Sequence, residues 1–377
     1  MEICQHTGVP QRLKSIDALR GFDMFFITGG AGIISGLCLG LGAGDCWLAR
    51  QMSHVPWAGL AQHDTIFPLF LFLAGVSWPF SLAKRRARGD STARIVRKIV
   101  SRGLTLALLG FVCNGLLKFD FGSLVWGSVL ARIGIAWAVA AALSVFLDVR
   151  KRVAIAGIIL LAHWAVCVLV VAPDAQGLDP LSMEGCFAGW LDRTLLPGRL
   201  THPGVISNQG ILSTFPAVVT AMLGVFAGEF LRRDDLSGNR KTAGLAVGAA
   251  LLAVLGVLTS VGFGRWSMPF NKILWSSSFT LVVGGYSAAM LAIFYWLIDV
   301  KGWWRRTLFF RVIGMNSITI YLANRILGFR CFADFFFGGV SSLLPSAWGA
   351  VVLSAATLAF EWLFLYFLFK KNVFLRV

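Results

Sequence analysis

Apolar residues in this chain come in blocks of about 20, the length of α-helix that crosses the roughly 30 Å hydrocarbon core of a bilayer. Only 14% of the residues are charged and 57% are hydrophobic. A β-barrel would show short alternating segments instead. The sequence therefore predicts an all-α polytopic transmembrane bundle of ten helices, at about 21–40, 64–83, 99–117, 128–147, 152–172, 211–231, 243–263, 275–298, 309–329 and 347–369.

Two segments outside these blocks need an interpretation. The stretch CFADFFFGGVSSLLPSAW (331–348) is apolar but contains Gly and Pro, so it is interpreted as an interfacial or re-entrant loop, with an eleventh span as the alternative. The longest polar segment, about 173–210, is predicted to be an ordered loop over a site. No composition shift divides the chain, and residues 1–377 are predicted to form a single transmembrane domain.

The net charge of the chain is +16, and the positive residues are not divided equally between the two sides of the predicted bundle. If the N-terminus is cytoplasmic, most of the 34 Lys and Arg residues fall in cytoplasmic segments, with clusters at 84–102, 150–152 and 370–371. This is the positive-inside pattern of membrane proteins. It predicts cytoplasmic N- and C-termini, an extracytoplasmic 173–210 segment, and contact of the basic residues with membrane lipids rather than nucleic acid. A minority of these charges could face the phosphates of a cytosolic cofactor.

The cysteines and histidines do not form a metal-binding pattern. The seven cysteines contain no CxxC motif, and the five histidines are dispersed, so no metal site is predicted. Cys46, Cys186 and Cys331 lie on or near the predicted outer side, where one disulfide is possible.

A titratable pair stands at the mouth of the second predicted span. His54 can accept and return a proton near neutral pH. Asp64 lies at the start of the span, where a helix N-terminus stabilises a carboxylate. A loop that folds back would bring the carboxylate to the imidazole and fix its tautomer. The alternative is a polar loop histidine and a helix-capping aspartate.

Further polar residues lie within or beside apolar blocks, where an unpaired charge is costly and often functional. Arg132, on the outer side of the fourth span, either extends to lipid headgroups or binds an oxygen of a substrate or cofactor. Asn271 and Lys272 precede the eighth span, and Trp275 suits an interfacial aromatic belt. Asp17 and Arg20, three residues apart at the inner side, can form a structural pair. These residues predict an outer polar pocket that fits an enzyme or a transporter equally.

Ordered motifs along nearly the whole chain resemble one known family. The sequence is similar to the heparan-α-glucosaminide N-acetyltransferase family of transmembrane acyltransferases, including its bacterial members. The motifs that carry the resemblance are RLKSIDALRGFDMFF (12–26), HVPWAGLAQHDTIFPLFLFLAGVS (54–77), ARIGIAW (131–137), GILSTFPAVVTAMLGVFAGEFL (210–231), PFNKILWSSSFTL (269–281), IDVKGWWRR (298–306), GMNSITIYL (314–322) and KKNVFLRV (370–377).

The resemblance implies a reaction and a site. Acetyl groups of cytosolic acetyl-CoA would pass across the membrane to an amino sugar or glycan on the far side, with His54 at the position of the catalytic histidine and Asp64 orienting it. The residues that match motif positions would surround the acyl donor or acceptor: Trp57, Arg132, Asn271, Lys272, Trp275 and Asn316. Thr28 is nearest to an asparagine that family members carry in the first span. The resemblance also implies the inner membrane of a bacterium and allows a homodimer.

Departures from the family keep other functions open. Family members often carry an acidic D-P-E-G where this chain has Ser207-Asn208-Gln209-Gly210, so the acceptor could differ. One alternative is an O-acyltransferase that modifies a periplasmic polysaccharide. Another is a transporter or flippase for a glycan precursor, and a third is a non-catalytic relative that binds acyl-CoA. Direct transfer and a transient acetyl-histidine are equally compatible with the sequence.

Overall fold

A computed structural model describes residues 13–375 of the chain, and that part is helical, with three isolated β-bridges in the loops. Residues 1–12 and 376–377 lie outside the described part, and with them the first residue of the 12–26 motif. Within residues 13–375, eight helices are long and apolar enough to cross a membrane. The prediction of an all-α polytopic membrane protein is therefore confirmed.

Most helices follow one another with short connections, and the longer segments lie between the fifth and sixth, between the seventh and ninth, and between the tenth and eleventh helices. Their bounds are α1 Lys14–Phe25, a π-helical turn Phe26–Gly30, α2 Ala31–Gly40, α3 Trp47–Gln51, α4 Gln62–Ala87, α5 Thr92–Cys113, α6 Val129–Phe146, α7 Val149–Leu169, α8 Phe187–Leu195, α9 Thr214–Leu231, α10 Gly238–Val261, α11 Ser277–Tyr295 with a π-helical turn Trp296–Val300, α12 Leu308–Met315, α13 Ser317–Ile326, α14 Phe329–Ser342 and α15 Ser346–Lys370.

Two of the ten predicted spans differ from the eight apolar helices. The block at 99–117 corresponds to α5, whose 22 residues begin with a strongly basic half. The block at 309–329 is divided at Asn316, where the backbone leaves the helical region (φ −124°, ψ 30°) and separates α12 from α13. Two short helices therefore stand where one continuous helix was predicted.

The ambiguous stretch after α13 is helical rather than a broken loop. The 14 residues of α14 rise about 21 Å at 1.5 Å per residue, which is less than the hydrocarbon thickness. This helix is therefore too short to be an eleventh span. It packs against α15 through aromatic contacts such as Phe329 with Phe364, whose ring centroids are 5.6 Å apart, and leaves Phe335 83% exposed.

Helices α4, α6, α9 and α11 form the centre of the bundle, where Phe72, Trp137, Trp275 and Phe279 are fully buried. Glycines allow α4 and α9 to approach each other closely. A Cβ on Gly224 would overlap the carbonyl of Phe72. Small residues at helix crossings bring backbones together in the same way in many membrane proteins.

The loops gather on two opposite faces. We name the first the loop face, and it is formed by residues 41–61, 170–213 and 262–276. These segments contact one another, for example where the N–H of Gly59 donates to the carbonyl of Phe270 at 2.8 Å. The opposite end carries the basic segments 84–91 and 147–152, and we name it the basic face.

Candidate active site

His54 and Asp64 are in direct contact on the loop face. Asp64 is the third residue of α4, and its Oδ2 accepts hydrogen bonds from the backbone N–H groups of Ala61 at 3.2 Å and Val55 at 3.3 Å. Its Oδ1 lies 2.8 Å from Nδ1 of His54. The carboxylate is 1% exposed and the imidazole 56% exposed. The loop thus folds back as the sequence suggested, with a buried carboxylate behind an accessible ring.

Lys272 completes this cluster from the opposite side. Its Nζ lies 3.3 Å from Oδ1 of Asp64, and 2.9 Å and 3.3 Å from Nδ1 and Nε2 of His54. Burial lowers the pKa of Lys272 below its ordinary value, and the carboxylate of Asp64 opposes that shift. The lysine is thus held where its charge is only partly compensated.

The two partners of His54 favour different arrangements of its proton. Nδ1 of a neutral imidazole is either a donor or an acceptor. If Nδ1 donates to Asp64, then Nε2 carries the lone pair and accepts from Lys272. If Nδ1 accepts from Lys272, the contact with Asp64 loses its hydrogen. The buried carboxylate accepts hydrogen bonds but donates none while ionised, so the first arrangement satisfies all three groups and leaves Nε2 as the basic atom.

A tight turn presents Lys272 to the site. Oδ1 of Asn271 accepts from the N–H of Leu274 at 2.8 Å, and Oγ of Ser276 accepts from the N–H of Asn271 at 3.1 Å. Trp275 adopts a left-handed backbone conformation, with φ +52°, which is strained for a bulky residue and often occurs at functional sites. Trp275 is also 0% exposed, so its interpretation as an interfacial anchor is wrong.

Arg132 lies behind this turn and not at the lipid surface. It is 2% exposed, and its guanidinium lies 5.2 Å from the ring of Trp275. One terminal nitrogen donates to Oγ of Ser213 and to the carbonyl of Gly210. Nε and Nη1 have no hydrogen-bond partner among residues 13–375. The alternative in which Arg132 extends to headgroups is therefore wrong, and the N–H groups of two buried nitrogens remain available to an acceptor atom.

Asp192 is a buried carboxylate that the sequence analysis did not select. It lies in α8, and its oxygens accept from the backbone N–H groups of Ser207 at 3.1 Å and Ile211 at 2.9 Å. Burial raises the pKa of its carboxyl group, and the charge of Arg132 acts in the opposite direction. Asp192 thereby fixes the segment 207–211 that also contacts Arg132. The only signal in the sequence was one acid inside the apolar string FAGWLDRTLL.

The long 173–210 segment rests on the loop that carries His54. The indole N–H of Trp57 donates to the carbonyl of Leu181 at 2.8 Å. The same tryptophan packs on a small apolar cluster that includes Cys186, Ile206 and Leu274. Trp57 therefore connects the His54 loop with both the long segment and the Lys272 turn.

Gln51 is a second residue that sequence reasoning missed. It is the last residue of α3, and its Oε1 accepts from the backbone N–H of Gln62 at 2.8 Å. Gln62 begins α4, two residues before Asp64. The side chain thus satisfies one of the N–H groups that every helix N-terminus leaves without an intrahelical partner, and it ties α3 to the site.

The remaining predicted residues lie away from the His54 cluster. Thr28 is buried in the π-helical turn of the first span and donates to the carbonyl of Met24 at 3.1 Å. Asn316, at the break between α12 and α13, donates to the carbonyl of Val373 at 3.3 Å. Asp17 is buried in α1. Arg20 donates to Oγ of Ser77 at 2.7 Å.

Two small cavities lie in the bundle between the His54 cluster and the basic face. The first, of about 50 Å³, is bordered by Asp23, Ile66 and Phe67. The second, of about 60 Å³, is bordered by Arg20 and Arg102. They share five lining residues, Phe70, Leu130, Ile133, Ser317 and Ile318. The cavities are therefore neighbours along one line through α4, α6 and α13.

Polar atoms at these cavities are incompletely paired. Oδ2 of the buried Asp23 and Nε of Arg102 have no hydrogen-bond partner within residues 13–375. The guanidinium of Arg102 stacks on Trp137 at 4.2 Å. In the same described range, no group of three His, Cys, Asp or Glu side chains could hold a metal ion.

The chain is similar to two curated proteins over most of its length. It is 26% identical over 369 residues to human heparan-α-glucosaminide N-acetyltransferase, an alignment that covers 85% of this chain and 54% of the human protein. It is 27% identical over 368 residues to the mouse protein of the same name, covering 84% of this chain and 54% of the relative. The resemblance to heparan-α-glucosaminide N-acetyltransferase is confirmed.

The two alignments cover only part of each relative. The chain spans about half the length of the curated heparan-α-glucosaminide N-acetyltransferases that it matches. No family model matches the chain. The name of these relatives describes an enzyme that transfers an acetyl group to the nitrogen of a glucosaminide.

Proposed function

We propose that this protein is a membrane acetyltransferase that moves an acetyl group from acetyl-CoA to the amino group of a sugar or glycan. The observation that carries the proposal is the cluster of His54, Asp64 and Lys272. It lies on the loop face, and the first cavity is bordered by Ile66 and Phe67, two and three residues after Asp64 on α4, while the neighbouring cavity is bordered by Arg20 and Arg102. An acyl donor on one side of the membrane can thus meet an acceptor on the other.

The orientation of this proposal follows from charge. Basic residues concentrate on the cytoplasmic side of membrane proteins, so we assign the basic face and both chain ends to the cytoplasm. The loop face is then extracytoplasmic, and the membrane is the inner membrane if the source is a bacterium. A homodimer stays a prediction.

The physical chemistry of acetyl-CoA supports a threaded donor. Its phosphates are costly to remove from water without compensating partners, so the nucleotide end stays at the basic face, near Arg20 and Arg102. The pantetheine arm is neutral and carries amide N–H groups, for which Oδ2 of Asp23 is an available acceptor. Cavities of about 50 and 60 Å³ are smaller than usual ligand pockets of about 300–1,000 Å³. Donor binding therefore requires Phe70 and Ile133 to move apart.

His54 would act as the general base in direct transfer. With Nδ1–H donated to Asp64, Nε2 takes the proton of the attacking amine as the N–C bond forms, once the ammonium of Lys272 has turned from Nε2 to the developing oxyanion. The tetrahedral intermediate then collapses, the C–S bond breaks, and Nε2 gives its proton to the leaving thiolate of CoA. Lys272 and the unpaired N–H groups of Arg132 are the nearby positive groups that could stabilise the negative oxygen of the tetrahedral intermediate. In the alternative route, the acetyl group bonds first to His54 and then to the acceptor amine.

The primary test uses the purified protein with acetyl-CoA and glucosamine. We expect free CoA thiol and an acetylated amine of equal amount, and a His54→Ala variant that loses at least about 100-fold in rate. His202→Ala is the matched control, because His202 is a loop-face histidine whose ring contacts Asn208 at 2.9 Å. Full activity of His54→Ala would exclude the assigned role.

The nature of the product separates the alternatives. An amide survives mild alkali and an ester does not, so an alkali-labile product would identify an O-acyltransferase. Accumulation of a glycan precursor in proteoliposomes without acetyl-CoA, independent of His54, would identify a transporter. If the protein binds acyl-CoA but releases no CoA thiol with any acceptor tested, it is a non-catalytic relative.

A second test addresses the donor path. Arg102→Gln removes a charge beside Trp137 at the basic end of the cavities, and we expect the KM for acetyl-CoA to rise about tenfold, as for the loss of a charge-assisted hydrogen bond. The KM for acetyl-pantetheine, which lacks the nucleotide, should stay unchanged. Arg94→Gln on the same helix is the control, since Arg94 pairs with Asp90 at an exposed position. An equal change for both donors would contradict this placement of the nucleotide.

A further inference from the structure

Two cysteines are brought together at the loop-face end of the first span. Cys38 is buried in the last turns of α2, and Cys46 is the N-cap residue of α3. A compact turn joins them, in which the N–H of Ala43 donates to the carbonyl of Cys38 at 2.8 Å and the N–H of Cys46 donates to the carbonyl of Ala43 at 3.0 Å. The two side chains interact directly, and both thiols are free in this structure.

The two thiols differ in character. Sγ of Cys46 accepts the backbone N–H of Ala49 at 3.4 Å, and this hydrogen bond lowers the pKa of the Cys46 thiol. A thiol whose sulfur accepts a backbone N–H is the more reactive nucleophile because this hydrogen bond stabilises its thiolate. Cys46 is also partly exposed, whereas Cys38 is buried. The pair therefore consists of an accessible attacking thiol and a shielded resolving thiol.

We propose that Cys38 and Cys46 form an intramolecular disulfide that fastens α3 to the end of the first span. The proposal rests on the assignment of the loop face to an extracytoplasmic, oxidising compartment, where disulfides persist. The oxidant is a dithiol–disulfide oxidoreductase or oxidised glutathione. The Cys46 thiolate attacks its disulfide and releases one thiol. Cys38 then attacks the sulfur of Cys46, which closes the new bond and releases the second thiol.

The other cysteines near the loop face are less suited. Cys167 and Cys186 are within electrostatic range of each other, but both are buried among apolar residues. The thiol of Cys186 donates to the carbonyl of Met183 at 3.3 Å. An oxidant in solution cannot reach them without local opening. Cys331 is exposed, but it lies on α14, outside the turn that joins Cys38 and Cys46.

The disulfide would act on the candidate site through α3. This helix ends at Gln51, whose side chain holds the N–H of Gln62 at the start of α4. Fixing Cys46 to Cys38 restricts both ends of α3, one by a covalent bond and the other by this hydrogen bond. The effect we expect is a better ordered His54 loop rather than a large gain in global stability, since the closed loop is short.

The chemical test does not depend on enzymatic activity. The full chain is inserted into the membrane by the host cell and purified without reductant. It is then alkylated, digested and analysed by mass spectrometry. We expect one linked peptide containing Cys38 and Cys46, lighter by two hydrogens than the dithiol, and new alkylation of the remaining cysteine in Cys38→Ser and in Cys46→Ser. Alkylation of both cysteines in wild type, before and after treatment with oxidised glutathione, would overturn the proposal. A Cys167–Cys186 linkage in their place would overturn it too.

The functional arm measures local order. Reduction of wild type should increase hydrogen exchange of residues 47–53 at least several-fold, and the Cys38→Ser/Cys46→Ser double variant should show the faster exchange with or without reductant. Cys113→Ser, outside this turn, should behave as wild type. Unchanged exchange in reduced wild type would contradict the link between the disulfide and the loop. Failure of acetyl transfer would leave both readouts intact, so the two proposals are tested separately.

Discussion

Nζ of Lys272 lies 3.3 Å from Oδ1 of Asp64, the same oxygen that lies 2.8 Å from Nδ1 of His54. One buried carboxylate oxygen thus compensates a lysine and orients a histidine. Any change in the charge of Asp64 or Lys272 must alter the hydrogen bonds of the imidazole, because all three groups share this point of contact.

Asp64→Asn should abolish most of the activity while keeping the fold. The amide has the shape of the carboxylate but neither its charge nor its preference for the Nδ1–H tautomer. We expect kcat to fall by about 10²–10⁴-fold, the range for a lost general base, with a smaller change in the KM for acetyl-CoA. Steady-state rates measure this effect. A kcat within threefold of wild type would show that the carboxylate does not orient the base.

Lys272→Met should change how stability depends on pH. Because burial lowers the pKa of Lys272 in the native state, the unfolded chain binds more protons between that lowered pKa and the ordinary value near 10.4. Wild-type stability should therefore rise with pH across this window. The methionine variant lacks that component, so the Tm of wild type should rise relative to that of the variant as pH rises.

The measurement for Lys272 is thermal unfolding in detergent from pH 7 to 10.5. Lys151→Met is the control, because Lys151 is exposed beside Asp148 on the basic face. Parallel curves for wild type and Lys272→Met at every pH would contradict a buried, partly compensated lysine.

Gln51→Ala should weaken the start of α4. The substitution removes the acceptor for the N–H of Gln62, and losing a helix-capping acceptor costs about 0.5–2 kcal/mol. We expect a lower Tm and a several-fold lower rate of acetyl transfer, because Asp64 is two residues away. Gln51→Glu retains an acceptor oxygen and should stay closer to wild type in both measurements. Equal losses in the two variants would argue against the hydrogen bond.

Trp57→Phe should affect the acceptor more than the donor. It keeps an aromatic ring in the apolar cluster but removes the hydrogen bond to Leu181, worth about 1 kcal/mol. Since this bond fastens the 173–210 segment to the His54 loop, we expect the KM for the sugar to rise about fivefold. The KM for acetyl-CoA should be unchanged. Kinetics with each substrate varied in turn distinguish this from a uniform loss of activity.

The positions of the spans were predictable because the bilayer imposes a length and a polarity on each helix. The division at Asn316 was not, since both halves are apolar and no Pro interrupts them. Its physical cause is a local backbone conformation at Asn316, whose side chain binds the carbonyl of Val373 from the C-terminal segment. Contacts between residues so far apart in sequence leave no periodic signal.

Part of the candidate site was also predictable, because polar residues are conspicuous beside a membrane-spanning helix. His54 and Asp64 stand out because titratable groups are rare beside an apolar helix. The contributions of Gln51 and Asp192 depend on backbone N–H groups that they bind, and backbone partners are invisible in a list of side chains. Arg132 stays a predicted site residue, and its burial follows from the fold of residues 210–213, which contact its guanidinium.

The first span is kinked at Phe26–Gly30, where Gly29 leaves the helical region with φ +130° and ψ −18°. Each residue of a regular α-helix advances the next by about 100° around the axis. Deletion of one residue from this turn would therefore rotate the whole of α2 relative to α1, and with it the direction in which the chain departs toward α3 and the histidine. The backbone conformation of these five residues thereby sets the direction from which the chain approaches the His54 loop.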